Sequence, residues 1–237
     1  MSAGTLHLIP APLADVDVPA TYAPAVLQRI RALDFFIVEA PKTARAFLRQ
    51  AEHPVPIAAL RIEPVPQDDG AADVLLQPIL EGRSAALLSE AGAPAVADPG
   101  AKVVRRAHAL GIRVVPEVGP SAILLALMAS GLEGQRFVFH GYLPVEEAEL
   151  ARRLKELENA SRRERQTQIF IETPYRNDRL VRVLLAHCAP STLVCIASNL
   201  TAPDETVATR SVATWRRAVP QIGKRPTVFL LLGGASA

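Results

Sequence analysis

Cysteine is scarce in this sequence. Two thiols, Cys188 and Cys195, serve 237 residues, too few for a disulfide framework or for a zinc site without help. Both sit in or beside apolar runs, which reads as buried free thiols in a reducing compartment. Long hydrophobic runs are missing as well. The longest, 122–129, falls far short of the ~20 residues needed to span a bilayer, and no basic segment followed by a sustained apolar core opens the chain, where Pro10 and Pro12 interrupt early. The expectation is a cytoplasmic protein with no membrane partner. Aromatic residues make up 5% of the chain, little material for stacking platforms on single-stranded RNA. Charge of one sign is also lacking: a net charge of +2 permits a nucleic-acid partner without arguing for one.

Several catalytic signatures are absent too. No Walker lysine follows a glycine loop, no full G-x-G-x-x-G follows the first strand, and there is no G-x-S-x-G elbow. His7, His53, His108, His140 and His187 are scattered without ligand pairing, so no metal site is expected.

What is present is a 49% hydrophobic, 21% charged composition, typical of a globular protein. Such a length suffices for one large α/β domain or two small ones and buries roughly 70–75% of the unfolded surface. Short apolar strands are expected at 5–9, 35–38, 57–60, 85–89 and 112–115. Helices are expected between them at 23–33, 43–50, 71–81 and 99–110, the last with Asp98 as its cap. Strands alternating with helices imply a mainly parallel sheet, and right-handed crossovers place the loops after Ile9, Val38, Leu88 and Val115 along one edge. The segment 116–121 marks a junction between an N-terminal domain, 1–117, and a C-terminal domain, 118–237. Beyond it, consecutive strands at 137–139, 168–171, 193–197, 206–211 and 227–232 point to a mixed sheet. A loop is expected at 140–144 and a charge-rich helix at 146–165.

The shared edge is the candidate site. Its central stretch is SEAGAPAVADPG, 89–100, where small side chains let backbone groups reach a ligand; in open α/β sheets ligands bind outside the carboxyl ends of the strands. Polar contributors are Glu39, Ser89, Glu90, Asp98, Ser121, Glu172, Tyr175 and Arg176. This suits positioning of a bound cofactor more than covalent chemistry.

Taken together, LHLIPAPLAD (6–15), FIVEAPKTARAFL (36–48), SEAGAPAVADPG (89–100), VGPSAILLALMASGL (118–132), FVFHGYLP (137–144), IFIETPYR (169–176), NLTAPDET (199–206) and RPTVFLL (225–231) resemble the tetrapyrrole methylase superfamily of S-adenosylmethionine-dependent methyltransferases. The resemblance is nearest the branch that contains the bacterial 16S rRNA ribose 2′-O-methyltransferase. It implies two α/β domains with the cofactor in the cleft between them, and a homodimer. Carried over, Pro10, then Ser89, Glu90, Ala91, Gly92, Ala93 and Val96, and then Gly119, Pro120, Ser121 and Ala122 match cofactor segments. Tyr142, Leu143, Ile171, Glu172 and Thr173 match positions near the adenine or methionine moiety. The chain departs from that branch at Ala14-Asp15, where Gly-Asn is usual, at Ala40-Pro41-Lys42, where an Asp-Thr-Arg sequence is usual, and at Asn199, where a glutamate is common. The first two lie on loops facing the acceptor side.

The expected reaction is in-line methyl transfer to an acceptor oxygen or nitrogen. A hydroxyl acceptor benefits from a base, for which Glu39, Asp98, Glu172 and Glu205 are candidates; each can equally cap a helix or pair with an arginine. The acceptor is expected to be rRNA or a related RNA, with a small molecule such as a tetrapyrrole, or a non-catalytic cofactor sensor, as the alternatives. The arginines at 152–165 and 176–182 bear on the RNA reading, although the glutamates among them also describe a solvated helix.

Overall fold

A computed structural model of the chain describes residues 3–66 and 68–234; positions 1–2, 67 and 235–237, inside the expected domain spans, lie outside the described residues. The chain falls into two compact units that divide after Ser121.

The first unit runs β1 (Thr5–Ile9), α1 (Val18–Thr21), α2 (Pro24–Ala32), β2 (Phe35–Val38), α3 (Pro41–Gln50), β3 (Arg61–Pro64), α4 (Asp69–Leu80), β4 (Ala85–Leu88), α5 (Ala101–Ala109) and β5 (Arg113–Pro116). Its sheet has the order β3-β2-β4-β1-β5 and every pairing is parallel. Strands such as FFIV and AALL are apolar at every position because both faces are covered. Side chains alternate across the pleat. Ile9, Phe36, Val38, Ala86 and Leu88 therefore pack with Leu27 and Ile30 of α2 and Phe47 and Leu48 of α3. Leu6, Phe35, Ile37, Ala85 and Leu87 pack with Leu76 and Ile79 of α4 and Val103 and Ala107 of α5. Each fully buried large side chain contributes roughly 1.5–3 kcal/mol.

This division of the helices positions the site. Connections leaving β1 and β2 cover one face, and those leaving β3 and β4 cover the other. The neighbours β1 and β4 thus send their chains to opposite faces, which opens a crevice between their carboxyl ends.

Four sequence expectations need correction. Residues 57–60 are not a strand: Ile57–Ala59 is a 3-10 turn entered through Pro56, and the strand is Arg61–Pro64. As an edge strand, β3 pairs with β2 alone and can be polar; Arg61 lies over the Phe35 ring at 4.3 Å. The helix expected from Pro99 starts at Ala101, with Gly100 in the cap position, so Asp98 is not its cap residue. The loop expected from His140 is still strand: β6 (Phe137–Tyr142) continues through a bulge after Phe139 in which Gly141 takes a φ of 65°. A further short helix, α1, was not expected; Asp17 caps it by accepting from Ala20 N–H at 3.2 Å.

The second unit runs α6 (Ala122–Ser130), β6, α7 (Glu147–Glu164), β7 (Thr167–Ile171), α8 (Asn177–His187), β8 (Leu193–Ser198), β9 (Thr206–Ser211), α9 (Val212–Arg217) and β10 (Thr227–Leu232). Its sheet, in the order β6-β7-β10-β8-β9, is mixed: β6 and β7 are parallel, while β10 and β9 run antiparallel to their neighbours. One face carries Phe170, Val194, Ile196, Phe229 and Leu231 against Leu150, Leu154 and Leu157 of α7, Leu180 and Leu184 of α8 and Trp215 of α9. On this side Glu158 is buried, accepting from Ala189 N–H at 2.8 Å and from the Thr192 hydroxyl. The other face is met by α6, which packs on β8, β9 and β10. No helix among the described residues is long and apolar enough to cross a membrane.

Candidate active site

In the first unit, three loops meet at the β1–β4 crevice, held by their backbones. Ala11 and Gly92 form an isolated two-residue bridge, each N–H donating to the other's carbonyl at 2.9 Å. The buried Tyr22 hydroxyl donates to Pro10 O at 2.8 Å, fixing the loop after β1 from below; burial pushes its phenol well above the usual range. The third loop is tied back to β1 by Glu117 N–H donating to Leu8 O at 2.9 Å and by the buried His7, whose Nδ1 lies 2.8 Å from a Glu117 carboxylate oxygen. Burial holds the His7 imidazole below its ordinary value. Gly119 then lies flat on Pro10: a Cβ at position 119 would come within 2.7 Å of Pro10 Cβ and 2.8 Å of its Cγ. At Gly92, φ is 76°, which favours glycine; an added Cβ would come within 3.1 Å of Leu13 Cδ2 and at ordinary contact distance, 3.8 Å, of Pro120 O. Pro10, Gly92, Gly119 and Pro120 thus lie side by side, with the tight contact between the Pro10 ring and the bare backbone of Gly119, which a side chain there would prevent.

The 89–100 loop has its own clasps. The buried Ser89 hydroxyl donates to Gly92 O at 2.6 Å. Ala95 and Ala97 both take left-handed φ values, 67° and 57°, a conformation that costs a non-glycine residue roughly 1–2 kcal/mol. Asp98 stabilises it: one carboxylate oxygen accepts from Ala95 N–H at 3.1 Å and from Gly100 N–H at 2.6 Å. The expected cap is thus a loop clasp. The second Asp98 oxygen is shielded from solvent and has no hydrogen-bond partner among the described residues. Glu90, Ala91 and Val96 project into solvent, and Ala93 is half-buried.

Glu39, just past β2, joins this group. Its carboxylate accepts from Glu90 N–H at 2.8 Å, and its own N–H donates to Leu88 O at 3.0 Å. The Glu39 carboxyl is held above its ordinary range, first by desolvation against the loop and then by the neighbouring Asp98 and Glu90 carboxylates; the Glu90 N–H opposes part of that. Glu39, Glu90 and Asp98 so make one acidic wall, suited to a cationic ligand group or to accepting a proton.

Beside this wall a cavity of about 320 Å³ opens, bounded by Pro12 and Asp15 of the first loop, Thr43, Phe47 and Gln50 of α3, and Ser89 and Glu90. Gln50 Nε2 donates to Asp15 Oδ1 at 2.9 Å across it. The α3 residues were missed from sequence because Ala44, Phe47 and Leu48 read as a core stripe. The available signal was that α3 begins directly at the carboxyl end of β2, so its first turns must border the crevice.

In the second unit, Tyr142 pairs in register with Ile171 at the ends of β6 and β7, and Glu172 and Thr173 follow directly. Tyr142 is 60% exposed, whereas Leu143 is buried in the core. Glu172 is committed to a local clasp: one buried oxygen accepts from Arg176 Nε at 2.9 Å, Arg176 Nη2 at 2.6 Å and Thr173 N–H at 2.6 Å. Glu205 accepts from Thr201 N–H at 2.7 Å and closes the 199–205 turn. Of the four carboxylates offered as bases, Glu39 and Asp98 thus stand together, while Glu172 and Glu205 each serve their own loop. Ser121 closes the first unit and Ala122 opens α6 of the second. Among the described residues no group of three or more His, Cys, Asp or Glu is arranged to hold a metal ion.

Comparison with known proteins places this geometry in a family. Residues 5–214 match the model of the Tetrapyrrole (Corrin/Porphyrin) Methylases. A curated relative from Xylella fastidiosa (strain Temecula1 / ATCC 700964), named ribosomal RNA small subunit methyltransferase I, is 32% identical over 216 residues, covering 91% of this chain and 76% of its own. The protein of the same name from Escherichia coli O157:H7 is 32% identical over 206 residues, covering 87% and 68%. Among solved structures, diphthine synthase superposes with a TM-score of 0.67 at 15% identity, covering 97% of this chain and 90% of that one. The methyltransferase CobJ gives 0.63 at 20% identity, covering 98% and 95%; at these identities the likeness speaks to the fold alone. With a family model that spans most of the chain and relatives aligned along nine-tenths of it, this chain belongs to the tetrapyrrole methylase family and is a methyltransferase.

Proposed function

We propose that the chain binds S-adenosylmethionine on the Pro10–Gly92–Gly119 surface and transfers its methyl group to an oxygen or nitrogen of ribosomal RNA. The observation that carries the cofactor reading is the switch-point crevice, where the first two loops are bridged at Ala11 and Gly92 and the third packs on the first so closely that Gly119 has no room for a side chain. The acidic wall of Glu39, Glu90 and Asp98 fits a ligand that bears both a sulfonium and an ammonium group. S-adenosylmethionine supplies a methyl already activated on a sulfonium.

What the chain contributes is position. Holding two reactants in line can supply about 7–11 kcal/mol of the barrier. Ser89, Gly92 and Asp98 keep the loop in one conformation, and the acceptor enters by the adjoining cavity. At about 320 Å³ this lies at the small end of ligand pockets, roughly 300–1,000 Å³, a better match for one nucleoside-sized group than for a tetrapyrrole macrocycle. Glu39, hydrogen-bonded to the N–H of the cavity-lining Glu90 and with its carboxyl raised, is the candidate we favour among the four to take a proton from an acceptor hydroxyl. RNA as acceptor is supported by the names of the aligned relatives. The family relationship also supports a homodimer, and α6 leaves Leu124 and Met128 51% and 78% exposed, an apolar face for a second copy to cover.

The test is transfer of a tritiated methyl group from S-adenosylmethionine to small ribosomal subunits prepared from a methylation-deficient strain, followed by alkaline hydrolysis of the RNA. Label in alkali-stable dinucleotides identifies a ribose 2′-oxygen, and label in mononucleotides identifies a base. Cofactor binding by calorimetry without label in RNA refutes the RNA acceptor, and no binding refutes the cofactor site.

A further inference from the structure

The charge of the chain is unevenly shared. Residues 122–237 hold 15 Lys and Arg against 11 Asp and Glu, whereas residues 1–121 hold 11 against 13. A basic half attached to an acidic half is a footprint expected of a polyanion-binding protein. Much of the positive charge of the helix α7 is matched along the helix itself, Arg152 and Arg153 pairing with Glu156 and Arg163 with Glu164. Arg176 and Arg179 are likewise engaged, by Glu172 and by Glu147.

A different place stands out. Tyr175, in the short turn after β7, is 80% exposed. Lys224 Nζ lies 4.9 Å from the centroid of its ring, a cation–π contact that occupies one face and leaves the rest open to solvent. The 221–225 loop carrying Lys224 is rigidly held. Asp178 accepts from Ile222 N–H at 2.7 Å, and Asn177 Nδ2 donates to Gly223 O at 3.1 Å and Arg225 O at 2.8 Å. The Arg225 guanidinium donates to the carbonyls of Ile222 and Gln221, which leaves its charge uncancelled. Among the described residues no carboxylate lies within ion-pair distance of Lys224 or Arg225. An open aromatic face backed by two unneutralised cations on a rigid loop has the composition of a stacking platform for single-stranded nucleic acid.

We propose that Tyr175, Lys224 and Arg225 form a contact for a single-stranded segment of the RNA substrate, a base stacking on the free face of Tyr175 and flanking phosphates meeting the two cations. This rests on the RNA acceptor reading above. Tyr175 lies two residues beyond Thr173, which the resemblance sets near the cofactor, so cofactor binding is measured on every variant to keep the two readings apart.

The experiment measures binding of a short fluorescein-labelled single-stranded RNA of mixed sequence by anisotropy, for wild type, Tyr175→Ala, Tyr175→Phe and Lys224→Gln, with S-adenosylmethionine binding by calorimetry as a control on each. Tyr175→Ala is expected to weaken RNA binding by about five-fold or more, while Tyr175→Phe keeps the affinity. Lys224→Gln should lower the affinity and reduce the slope of log K against log salt by about 0.7, the share of one phosphate contact on a single strand. Cofactor affinity stays at the wild-type value in Lys224→Gln, and a fall in cofactor affinity in Tyr175→Ala no smaller than its fall in RNA affinity overturns the stacking role. Wild-type RNA affinity in Tyr175→Ala overturns the proposal alone. Loss of binding to small ribosomal subunits with unchanged binding to free RNA also overturns it, because the Tyr175–Lys224 contact would then meet protein. If the wild-type chain neither binds nor labels RNA, the acceptor reading falls and this contact falls with it.

Discussion

Placing a methyl group at position 119 probes the proposed cofactor surface without touching a charged or polar side chain. The added Cβ of Gly119→Ala would lie 2.7, 2.8 and 3.2 Å from Pro10 Cβ, Cγ and Cδ. Unstrained carbon contacts sit at about 3.5–4.0 Å, so a separation of roughly 1 Å is needed. Pro10 cannot retreat. It is buried, its ring is rigid, its carbonyl accepts from Tyr22, and the next residue is bridged to Gly92. The displacement therefore falls on the 118–121 segment, which carries Pro120 and Ser121. Overpacking of this kind costs about 1–3 kcal/mol, and in a chain of this size each kcal/mol lowers Tm by roughly 2–4 °C. Gly111→Ala is the control. It forces a left-handed φ of 71° on alanine with nothing within 4 Å of the new Cβ, a cost of about 1–2 kcal/mol with no geometric consequence for the crevice. Both variants should melt earlier in a thermal scan. In calorimetric titration with S-adenosylmethionine, Gly119→Ala should lose affinity about ten-fold, the equivalent of about 1.4 kcal/mol, while Gly111→Ala keeps it. Equal cofactor affinity in the two variants would refute the claim that the Pro10–Gly119 contact shapes the binding surface.

Three further outcomes are expected. Glu39 has a folded-state carboxyl value above the ordinary 4.5, so its contribution to stability is fully present below pH 4.5 and is lost as pH rises through the raised value. Glu39→Gln should then gain stability relative to wild type between pH 4.5 and neutrality, by a small amount because the side chain reaches solvent, and urea midpoints that track wild type across that window contradict it. The same variant should bind the cationic cofactor more weakly at neutral pH and lose the wild-type fall in affinity on acidification. For the thiols, burial pushes Cys188 up to about 12 and also raises Cys195, so neither should react with iodoacetamide at mildly alkaline pH until denaturant is added; rapid alkylation of the native chain counts against the packing around β8 and α8.

The sequence carried the architecture where burial is two-sided and the turns are made by proline and glycine. Stretches such as FFIV and AALL admit no solvent-facing position, so they read as central parallel strands, and the Pro- and Gly-bearing loops that follow them put the crevice at the right edge. Legibility failed where tertiary context overrode local pattern. At 57–64 the apolar IAAL suggested a strand and the charged RIEP did not. An edge strand needs partners on one side alone, and Arg61 satisfies its aliphatic and cationic parts over Phe35. At 140–142, glycine suggested a loop, yet Gly141 serves a bulge inside β6. Asp98 carried a helix-cap signature two residues too early, because its carboxylate organises the left-handed alanines before the helix instead.

The same contrast separates what is common to the family from what is particular to this chain. At Gly119 the backbone lies against the Pro10 ring, and at Gly92 a left-handed φ favours glycine, so the fold fixes the residue type at both, and both belong to the segments that carry the family resemblance. The departures at Ala14-Asp15 and Ala40-Pro41-Lys42 fall elsewhere. Ala14 and Asp15 line the cavity beside the crevice, Asp15 is held there by Gln50, and 40–42 opens α3, the helix forming the cavity's opposite wall. A side chain on a cavity wall is constrained by what enters the cavity, whereas a glycine under a proline ring is constrained by the fold itself. If the acceptor enters this cavity as proposed, Asp15→Asn or Gln50→Ala should change the rate of tritiated-methyl transfer without changing S-adenosylmethionine affinity by calorimetry, and equal losses in both would refute the separation of the two sites.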